Sequence, residues 1–277
     1  MTSLKAETGP ALKPAAPAKA RILFGRCPLC EDPGIKQLRA ADCSQHPLYR
    51  PIVPRTMQWM QCGACDHVFT DGYFTPEVLS EIFRTTHDNQ KPGWNFEQQR
   101  GVSARMVEAV ARHVSDGAWL DVGFGNASLL FTAEEWGFKP VGVDLRPSSV
   151  SALQALGVEA HCVDLAKMEG EGKFSVISMA DVLEHIPYPE PAVAAARRLL
   201  RPGGVLFVSM PHYNCMTWRL LDAINGNPYW GELEHFHNFS RERLYRLLRD
   251  QGFEPVQYRV SERYRVCMEI VARRRDD

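Results

Sequence analysis

The stretch WLDVGFGNASLL, Trp119–Leu130, combines a short apolar run with an acid at Asp121 and two closely spaced glycines, Gly123 and Gly125. This order is typical of a buried strand that leads into a cofactor-binding loop. The two glycines allow the backbone to turn sharply and to approach a ligand, which a side chain would prevent. Because a helix-like segment follows, the stretch predicts a strand–loop–helix unit of a nucleotide-binding α/β fold.

Short apolar runs and helix-like segments alternate after this unit, which predicts a doubly wound α/β sheet. The predicted strands are AWLDVG, PVGVDL, VEAHCVD, FSVISMA and GGVLFVSM. The last two apolar runs, EPVQYRV and RYRVCMEIVAR, have only a short turn between them. A hairpin of this kind predicts an antiparallel addition at the edge of the sheet.

Acids also follow the second and third predicted strands. Asp144 comes about 20 residues after the glycine loop, where a carboxylate can accept both hydroxyls of an adenosine ribose. Asp164 ends the third strand, within reach of an adenine amino group. Either aspartate could instead be a helix N-cap. A nicotinamide-binding loop would have Gly or Ala where this chain has Ser128, so a dehydrogenase is disfavoured.

The segments LDVGFGNASLL, VGVDLRP and DVLEHIPYP, with the later LLRPGG, resemble the S-adenosylmethionine-dependent methyltransferases of the Rossmann-like class. The resemblance extends from Trp94 to the C-terminus. It implies an α/β fold, a seven-stranded sheet flanked by helices with its last strand antiparallel. One departure is Ala127, where the family often has a third glycine.

The same resemblance implies the residues that hold the cofactor. They are Asp121, Gly123 and Gly125 for the methionine part, Asp144 with Leu145 for the ribose, Asp164 with Leu165 for the adenine, and Ala180 with Asp181 beside the sulfonium.

Two C-x-x-C pairs, Cys27 with Cys30 and Cys62 with Cys65, precede this region. Each short turn can present two thiolates, and two such turns complete a tetrahedral zinc site that leaves no open position for chemistry. A gap of 31 residues separates the pairs, so a loop or hairpin must lie between them. Scattered reduced cysteines and a redox pair are the alternatives. The other cysteines, Cys43, Cys162, Cys215 and Cys267, are spare, and the last three are expected to pack as small hydrophobic residues.

This arrangement resembles a group of bacterial methyltransferases that carry an N-terminal ribbon of two C-x-x-C pairs. Members of that group often act on sugars, surface glycans or natural products. We therefore expect four units: a flexible tail at 1–20, a zinc ribbon at 21–75, a helical linker or lid at 76–117, and the methyltransferase domain at 118–277.

The chain has 277 residues and a formal net charge of −1. This near-neutral charge argues against a nucleic-acid partner, because such affinity rests largely on phosphate neutralisation. No apolar run reaches the roughly 18 residues of a membrane helix, and the N-terminus lacks the apolar core of a signal peptide. We therefore expect a cytoplasmic protein in a reducing compartment, where metal binding by cysteine is favoured over disulfides.

Candidate catalytic residues occur in three segments. DVLEHIPYP contains His185 beside Glu184, WGELEHFHNFS contains His235 and His237, and MPHYN contains His212. A histidine can remove the proton of a hydroxyl acceptor near neutral pH. His185 could instead hold its loop by hydrogen bonds to the backbone, and one of the other two could brace the helix near Ser240. The aromatic residues Trp218, Tyr229 and Trp230 could form a wall for a ring-shaped acceptor or pack in the core.

These observations favour an S-adenosylmethionine-dependent methyltransferase with a structural zinc ribbon. The expected acceptor is a hydroxyl or amine on a sugar, glycan precursor or secondary metabolite, with His185, His235 or His237 as the base for a hydroxyl. An RNA methyltransferase with a zinc module and a non-catalytic ribbon adaptor are the alternatives.

Overall fold

A computed structural model describes residues 20–83, 90–264 and 266–276. The expected flexible tail lies outside these residues except for Ala20. The N-terminal region forms five short strands: β1 Arg21–Leu23, β2 Ile35–Asp42, β3 Thr56–Cys62, β4 Val68–Thr70 and β5 Gly72–Phe74. Strands β1 and β5 pair antiparallel, while β2, β3 and β4 form an antiparallel meander.

The two cysteine pairs lie at one end of this meander. Cys27 and Cys30 precede β2, and Cys62 ends β3, so the β2–β3 hairpin is the connection that the long gap requires. The register pairs Ile35 with Cys62 and Asp42 with Thr56. A hairpin brings its first and last residues together, and the two C-x-x-C turns therefore meet.

Two helices connect this region to the large sheet: α1 Pro76–Phe83 and α2 Phe96–Ala111. Helix α2 buries Met106, Val107 and Val110 at helical spacing. Its N-terminal loop is tied to the glycine loop, because Gly93 N donates to Asn126 O (2.9 Å) and Asn126 Nδ2 donates to Trp94 O (3.0 Å).

The large sheet has seven strands in the order β12-β13-β10-β9-β6-β7-β8. Their bounds are β6 Ala118–Val122, β7 Lys139–Asp144, β8 Glu159–Cys162, β9 Phe174–Ala180, β10 Leu200–Pro211, β12 Phe253–Val260 and β13 Cys267–Arg274. The last strand, β13, runs antiparallel to both of its neighbours. The predicted fold class is confirmed, although β13 lies inside the sheet and β12 forms its edge.

Five helices accompany the strands: α3 Ser128–Glu135, α4 Pro147–Ala155, α5 Glu190–Leu199, α6 Met216–Ala223 and α7 Arg241–Asp250. Helix α5 shows why these segments are helical. Its alanines have high helix propensity. Glu190 lies in the first turn, and Arg197 and Arg198 lie in the last turn, so each charge interacts favourably with the nearby end of the helix dipole. Apolar clusters cover both faces of the sheet.

The strand order reverses between β6 and β9, since β7 and β8 continue in one direction and β10 in the other. Ligands bind at such a switch point, beyond the carboxyl ends of the strands. A two-residue strand, β11 His237–Asn238, pairs antiparallel with β4 and extends the N-terminal meander to four strands. The segment that contains His237 therefore shares a sheet with the N-terminal region.

Among the described residues, no helix is both long and apolar enough to cross a membrane.

Candidate functional site

Asp121 lies at the carboxyl end of β6, with 4% of its surface exposed. Its Oδ1 accepts a hydrogen bond from Ser178 Oγ on β9 at 2.5 Å, and Trp119 Nε1 donates to the same hydroxyl at 2.8 Å. Burial raises the pKa of Asp121 to about 7. The neighbouring strand therefore holds this carboxyl group in one orientation at the switch point. Ser178 was not predicted from the sequence.

The glycine loop turns at three residues with positive φ. Gly123 and Gly125 have φ of +64° and +52°, and a Cβ on Gly123 would lie 3.3 Å from Val182 Cγ2. Ala127, the residue before α3, has φ of +60° and is fully buried. The left-handed conformation is unfavourable for alanine, which explains why a glycine suits this position. Gly123 is exposed directly after β6, whereas Asp121 and Val122 at the end of the strand are buried.

Asp144 ends β7 and is 6% exposed. Its Oδ1 accepts from Arg146 N (2.8 Å) and Arg146 Nε (2.9 Å), and its Oδ2 accepts from Arg146 Nη2 (2.7 Å). Arg146 also donates to Gln90 Oε1 at 2.8 Å. Both carboxylate oxygens of Asp144, which were expected to bind the ribose, therefore bind the guanidinium of Arg146 in this structure. No sequence pattern pointed to Arg146, although VDLRP places it two residues after the acid.

The expected adenine side is more exposed. Asp164 Oδ1 accepts from Ala166 N at 2.9 Å and caps the short 3₁₀ turn Leu165–Lys167. The capping alternative therefore applies to one oxygen of Asp164. Leu165 is buried, whereas Leu145 is 70% exposed and offers an apolar surface beside Asp144.

Ala180 ends β9, the strand on the other side of the switch point, and Asp181 follows it directly. Asp181 has φ of +56°, an uncommon conformation for a residue with a side chain. Its Oδ2 lies 3.0 Å from Arg263 Nη1, which comes from the turn between β12 and β13. Burial raises the pKa of Asp181, and the charge of Arg263 opposes this shift. No sequence pattern pointed to Arg263.

Glu184, His185 and His235 form a cluster next to Asp181, with one ligand-type atom of each within 4.8 Å of the others. His185 Nδ1 donates to Glu234 O at 2.8 Å, since a carbonyl can only accept. Burial lowers the pKa of His185, which leaves a neutral ring with a lone pair on Nε2. The His235 ring lies edge-on to it, with centroids 4.7 Å apart.

The carboxyl group of Glu184 has no hydrogen-bond partner among the described residues, and neither has His235 Nδ1. Burial first, and then the charge of Asp181, raises the pKa of Glu184 well above its usual value. Burial likewise raises the pKa of Glu234 to about 7. Burial therefore disfavours the charged form of all three members of the cluster.

His237 has a different environment from the other two histidines. It is 1% exposed, and its Nε2 donates to Ile186 O (2.9 Å) and Pro187 O (3.2 Å). Its Nδ1 lies 2.9 Å from Nε2 of His67, which follows the second cysteine pair. Both ring nitrogens of His237 are thus engaged within the protein.

The four cysteines of the C-x-x-C pairs converge. Their Sγ atoms lie within 4.8 Å of one another, with 3.7 Å between Cys27 and Cys65, 3.5 Å between Cys30 and Cys62, and 3.4 Å between Cys30 and Cys65. Tetrahedral zinc with Zn–S bonds near 2.3 Å holds its sulfur atoms roughly 3.8 Å apart. The residues therefore fit a four-thiolate zinc ion.

The aromatic candidates pack mainly against the ribbon. Trp218 and Trp230 are 1% and 5% exposed, and Trp59 Nε1 of β3 donates to Trp230 O at 2.8 Å. Tyr229 stacks on Trp218 with centroids 5.6 Å apart. These rings form a core that joins the region after α6 to the ribbon sheet. Trp94, by contrast, is 46% exposed near the glycine loop.

A family model described as a methyltransferase domain matches residues 94–258, more than half of the chain. This chain belongs to the class I S-adenosylmethionine-dependent methyltransferases. The predicted family is thereby confirmed.

Curated relatives include two enzymes named ubiquinone biosynthesis O-methyltransferase. The one from Nitrosococcus oceani is 35% identical over 147 residues, which cover 48% of this chain and 61% of the relative. The one from Idiomarina loihiensis is 33% identical over 157 residues, covering 52% and 64%. The matched stretch thus spans less than two thirds of each relative.

Solved structures share the fold at low identity. The 1,6-didemethyltoxoflavin-N1-methyltransferase of Burkholderia thailandensis aligns with a TM-score of 0.57 and 18% identity, over 77% of this chain and 98% of that one. The magnesium protoporphyrin IX methyltransferase of Synechocystis aligns with a TM-score of 0.51 and 20% identity, over 64% and 84%.

Proposed function

We propose that this protein transfers a methyl group from S-adenosylmethionine to a hydroxyl or amine of a sugar, glycan precursor or secondary metabolite. One observation carries this proposal: the switch point combines the glycine loop and buried acids with an adjacent histidine, His185, whose Nε2 makes no hydrogen bond to the described residues. The glycine loop and the buried acids suit a cationic adenosyl cofactor. The histidine suits removal of a proton from an acceptor.

The cofactor-binding roles are proposed as follows. Asp121, Gly123 and Gly125 would hold the methionine part, Asp144 and Leu145 the ribose, Asp164 and Leu165 the adenine, and Ala180 and Asp181 would lie beside the sulfonium. Buried carboxyl groups with raised pKa values favour a cationic ligand, because a positive charge nearby stabilises their ionised form. Arg146 would have to release Asp144 before the ribose hydroxyls could bind there.

Bound S-adenosylmethionine supplies an electrophilic methyl group. His185 is the proposed base for a hydroxyl acceptor, since Glu234 O fixes its Nδ1 proton and burial keeps the ring neutral. The hydroxyl proton would pass to Nε2 of His185 as the acceptor oxygen takes the methyl group, and breakage of the carbon–sulfur bond would leave the cofactor as a neutral thioether. His235, which contacts this ring, is the second proposed base. His237 is proposed as a positioning residue instead, because its nitrogens are engaged.

We propose that the methylated atom of the acceptor is a hydroxyl oxygen. The relatives from Nitrosococcus oceani and Idiomarina loihiensis are named as O-methyltransferases, and a neutral amine acceptor would need no strong base. A free histidine lone pair next to the proposed sulfonium position therefore supports a hydroxyl over an amine.

We also propose that Cys27, Cys30, Cys62 and Cys65 bind one structural zinc ion. Four protein thiolates fill the tetrahedral coordination of zinc and leave no position for a substrate. The sulfur separations given above support this assignment.

Calorimetric titration of the zinc-analysed protein with S-adenosylmethionine, and separately with NAD, tests the proposal. We expect micromolar binding of the first and none of the second. Asp144→Ala should abolish binding, while Asp116→Ala, at an exposed aspartate, should not change it. A folded, zinc-loaded protein that binds neither ligand would favour a non-catalytic adaptor.

A further inference from the structure

The four-cysteine cluster lies at the border of the main core, with Cys30 and Cys65 only partly buried. Cys27 and Cys62 are fully buried and belong to the same apolar cluster as Leu244 and Leu248 of α7. The four-cysteine site and α7 therefore share one apolar core. The residues of α7 near the cysteines can therefore stabilise the ribbon against the large sheet.

Arg243 is the charged residue that α7 directs toward this region. It is 6% exposed, and its Nε and Nη1 have no hydrogen-bond partner among the described residues. Its charge acts on Cys65, His67 and Glu190. A buried guanidinium with unused donors is costly unless an anion is nearby. Four thiolates provide one, because they carry more negative charge than a single Zn²⁺ ion cancels.

The hydrogen bonds of His67 and His237 have one possible direction. The carbonyls of Ile186 and Pro187 only accept, so the proton of His237 is on Nε2 and its Nδ1 is an acceptor. His67 must then donate from Nε2 across the 2.9 Å contact. Nδ1 of His67 remains a buried acceptor without a partner among the described residues. This acceptor and the unused donors of Arg243 occupy the same region.

Ile186 and Pro187, which accept hydrogen bonds from His237, lie in the loop that contains Glu184 and His185. The ribbon also holds this segment through the backbone, because His237 pairs with Phe69 of β4 and Phe236 N donates to Glu184 O at 2.8 Å. The loop at 183–187 is thus attached to the ribbon through both side chains and backbone.

We propose that Arg243 and His67 form an outer shell around the four-cysteine metal centre, and that the His67–His237 pair positions the loop at 183–187 relative to it. The inference rests on the zinc assignment made under the proposed function. It makes the ribbon a support for the acceptor side of the site.

The outer shell is tested by the rate at which a colorimetric chelator removes zinc from the full-length protein. We expect Arg243→Met to release zinc at least about tenfold faster than the unmodified protein, as is typical when an outer-shell partner is lost. Arg246→Met, at an exposed arginine on the same helix, is the matched control and should release zinc at the original rate. Equal rates for the two variants would overturn this role of Arg243.

The positioning role is tested by hydrogen–deuterium exchange of the zinc-loaded protein. His67→Phe keeps an aromatic ring but removes the donor, and we expect exchange in residues 183–187 to rise about tenfold. His67→Gln retains a donor near the Nε2 position and should restore most of the protection. Residues 118–135 report on the fold and should not change. Unchanged exchange at 183–187 in His67→Phe, or equal exchange in both variants, would overturn the proposal.

Neither measurement uses the cofactor or an acceptor. Failure of S-adenosylmethionine binding with intact zinc retention and loop protection would refute the proposed methyl transfer alone. Failure of the protein to bind zinc would refute the zinc assignment and this inference, and would leave cofactor binding to be judged by calorimetry.

Discussion

Asp121→Asn is the substitution whose effect the structure defines best. The carboxyl group is 4% exposed, and burial raises its pKa from 3.8 to about 7. Asparagine has nearly the same shape, and its Oδ1 can still accept from Ser178. The change therefore removes the titration of one buried group and little else.

The sign and size follow from linkage. The folded protein holds a proton on Asp121 up to about pH 7, whereas the unfolded chain loses it near pH 3.8. The stability contributed by this proton is complete below pH 3.8 and is lost as the pH rises to about 7. A shift of about three pKa units corresponds to about 4 kcal/mol. Relative to the unmodified protein, Asp121→Asn should therefore be about 4 kcal/mol more stable at pH 8 than at pH 4.

Denaturant unfolding of both proteins at the two pH values checks this, with Asp116→Asn as the exposed control. Other titrating groups are common to both proteins and cancel in the difference. The quantity to compare is the free energy of unfolding of the variant minus that of the unmodified protein. If this difference were the same at pH 4 and pH 8 within about 1 kcal/mol, the burial argument would be refuted. The stabilised variant should also bind S-adenosylmethionine more weakly, because the proposed contact to the methionine part is lost.

Arg146→Met removes the guanidinium that is paired with Asp144. A partly exposed ion pair contributes roughly 1 kcal/mol, so calorimetry should find S-adenosylmethionine bound about fivefold more tightly. Weaker binding would contradict this prediction. Ala127→Val forces a β-branched residue into the left-handed region and should lower the free energy of unfolding by more than about 2 kcal/mol, whereas Ala127→Gly should change it little. Cys65→Ser should eliminate stoichiometric zinc and lower the melting temperature by at least about 5 °C, and a zinc-loaded Cys65→Ser protein would argue against the four-cysteine assignment.

Much of the site follows from local patterns. The acids Asp121, Asp144 and Asp181 each end an apolar run, and parallel strands bring their carboxyl ends to one edge of a sheet, so their grouping is predictable. The two C-x-x-C pairs are predictable for the same kind of reason, since each ligand pair is set by a short turn. Asp164 shows the limit of this approach, because an aspartate after a strand can cap the next turn or face a ligand, and the local sequence is the same for both.

The strand–helix alternation of the large sheet, the glycine loop, the acids at the strand ends and the paired cysteines could be predicted from the sequence. Each of these depends on hydrophobic periodicity or on residues a few positions apart. The contact of Arg263 with Asp181 and that of His237 with His67 could be known only from the folded structure. These contacts join distant segments of the chain, His67 and His237 across 170 positions. They arise from how loops pack on a completed sheet, and no local pattern specifies that packing.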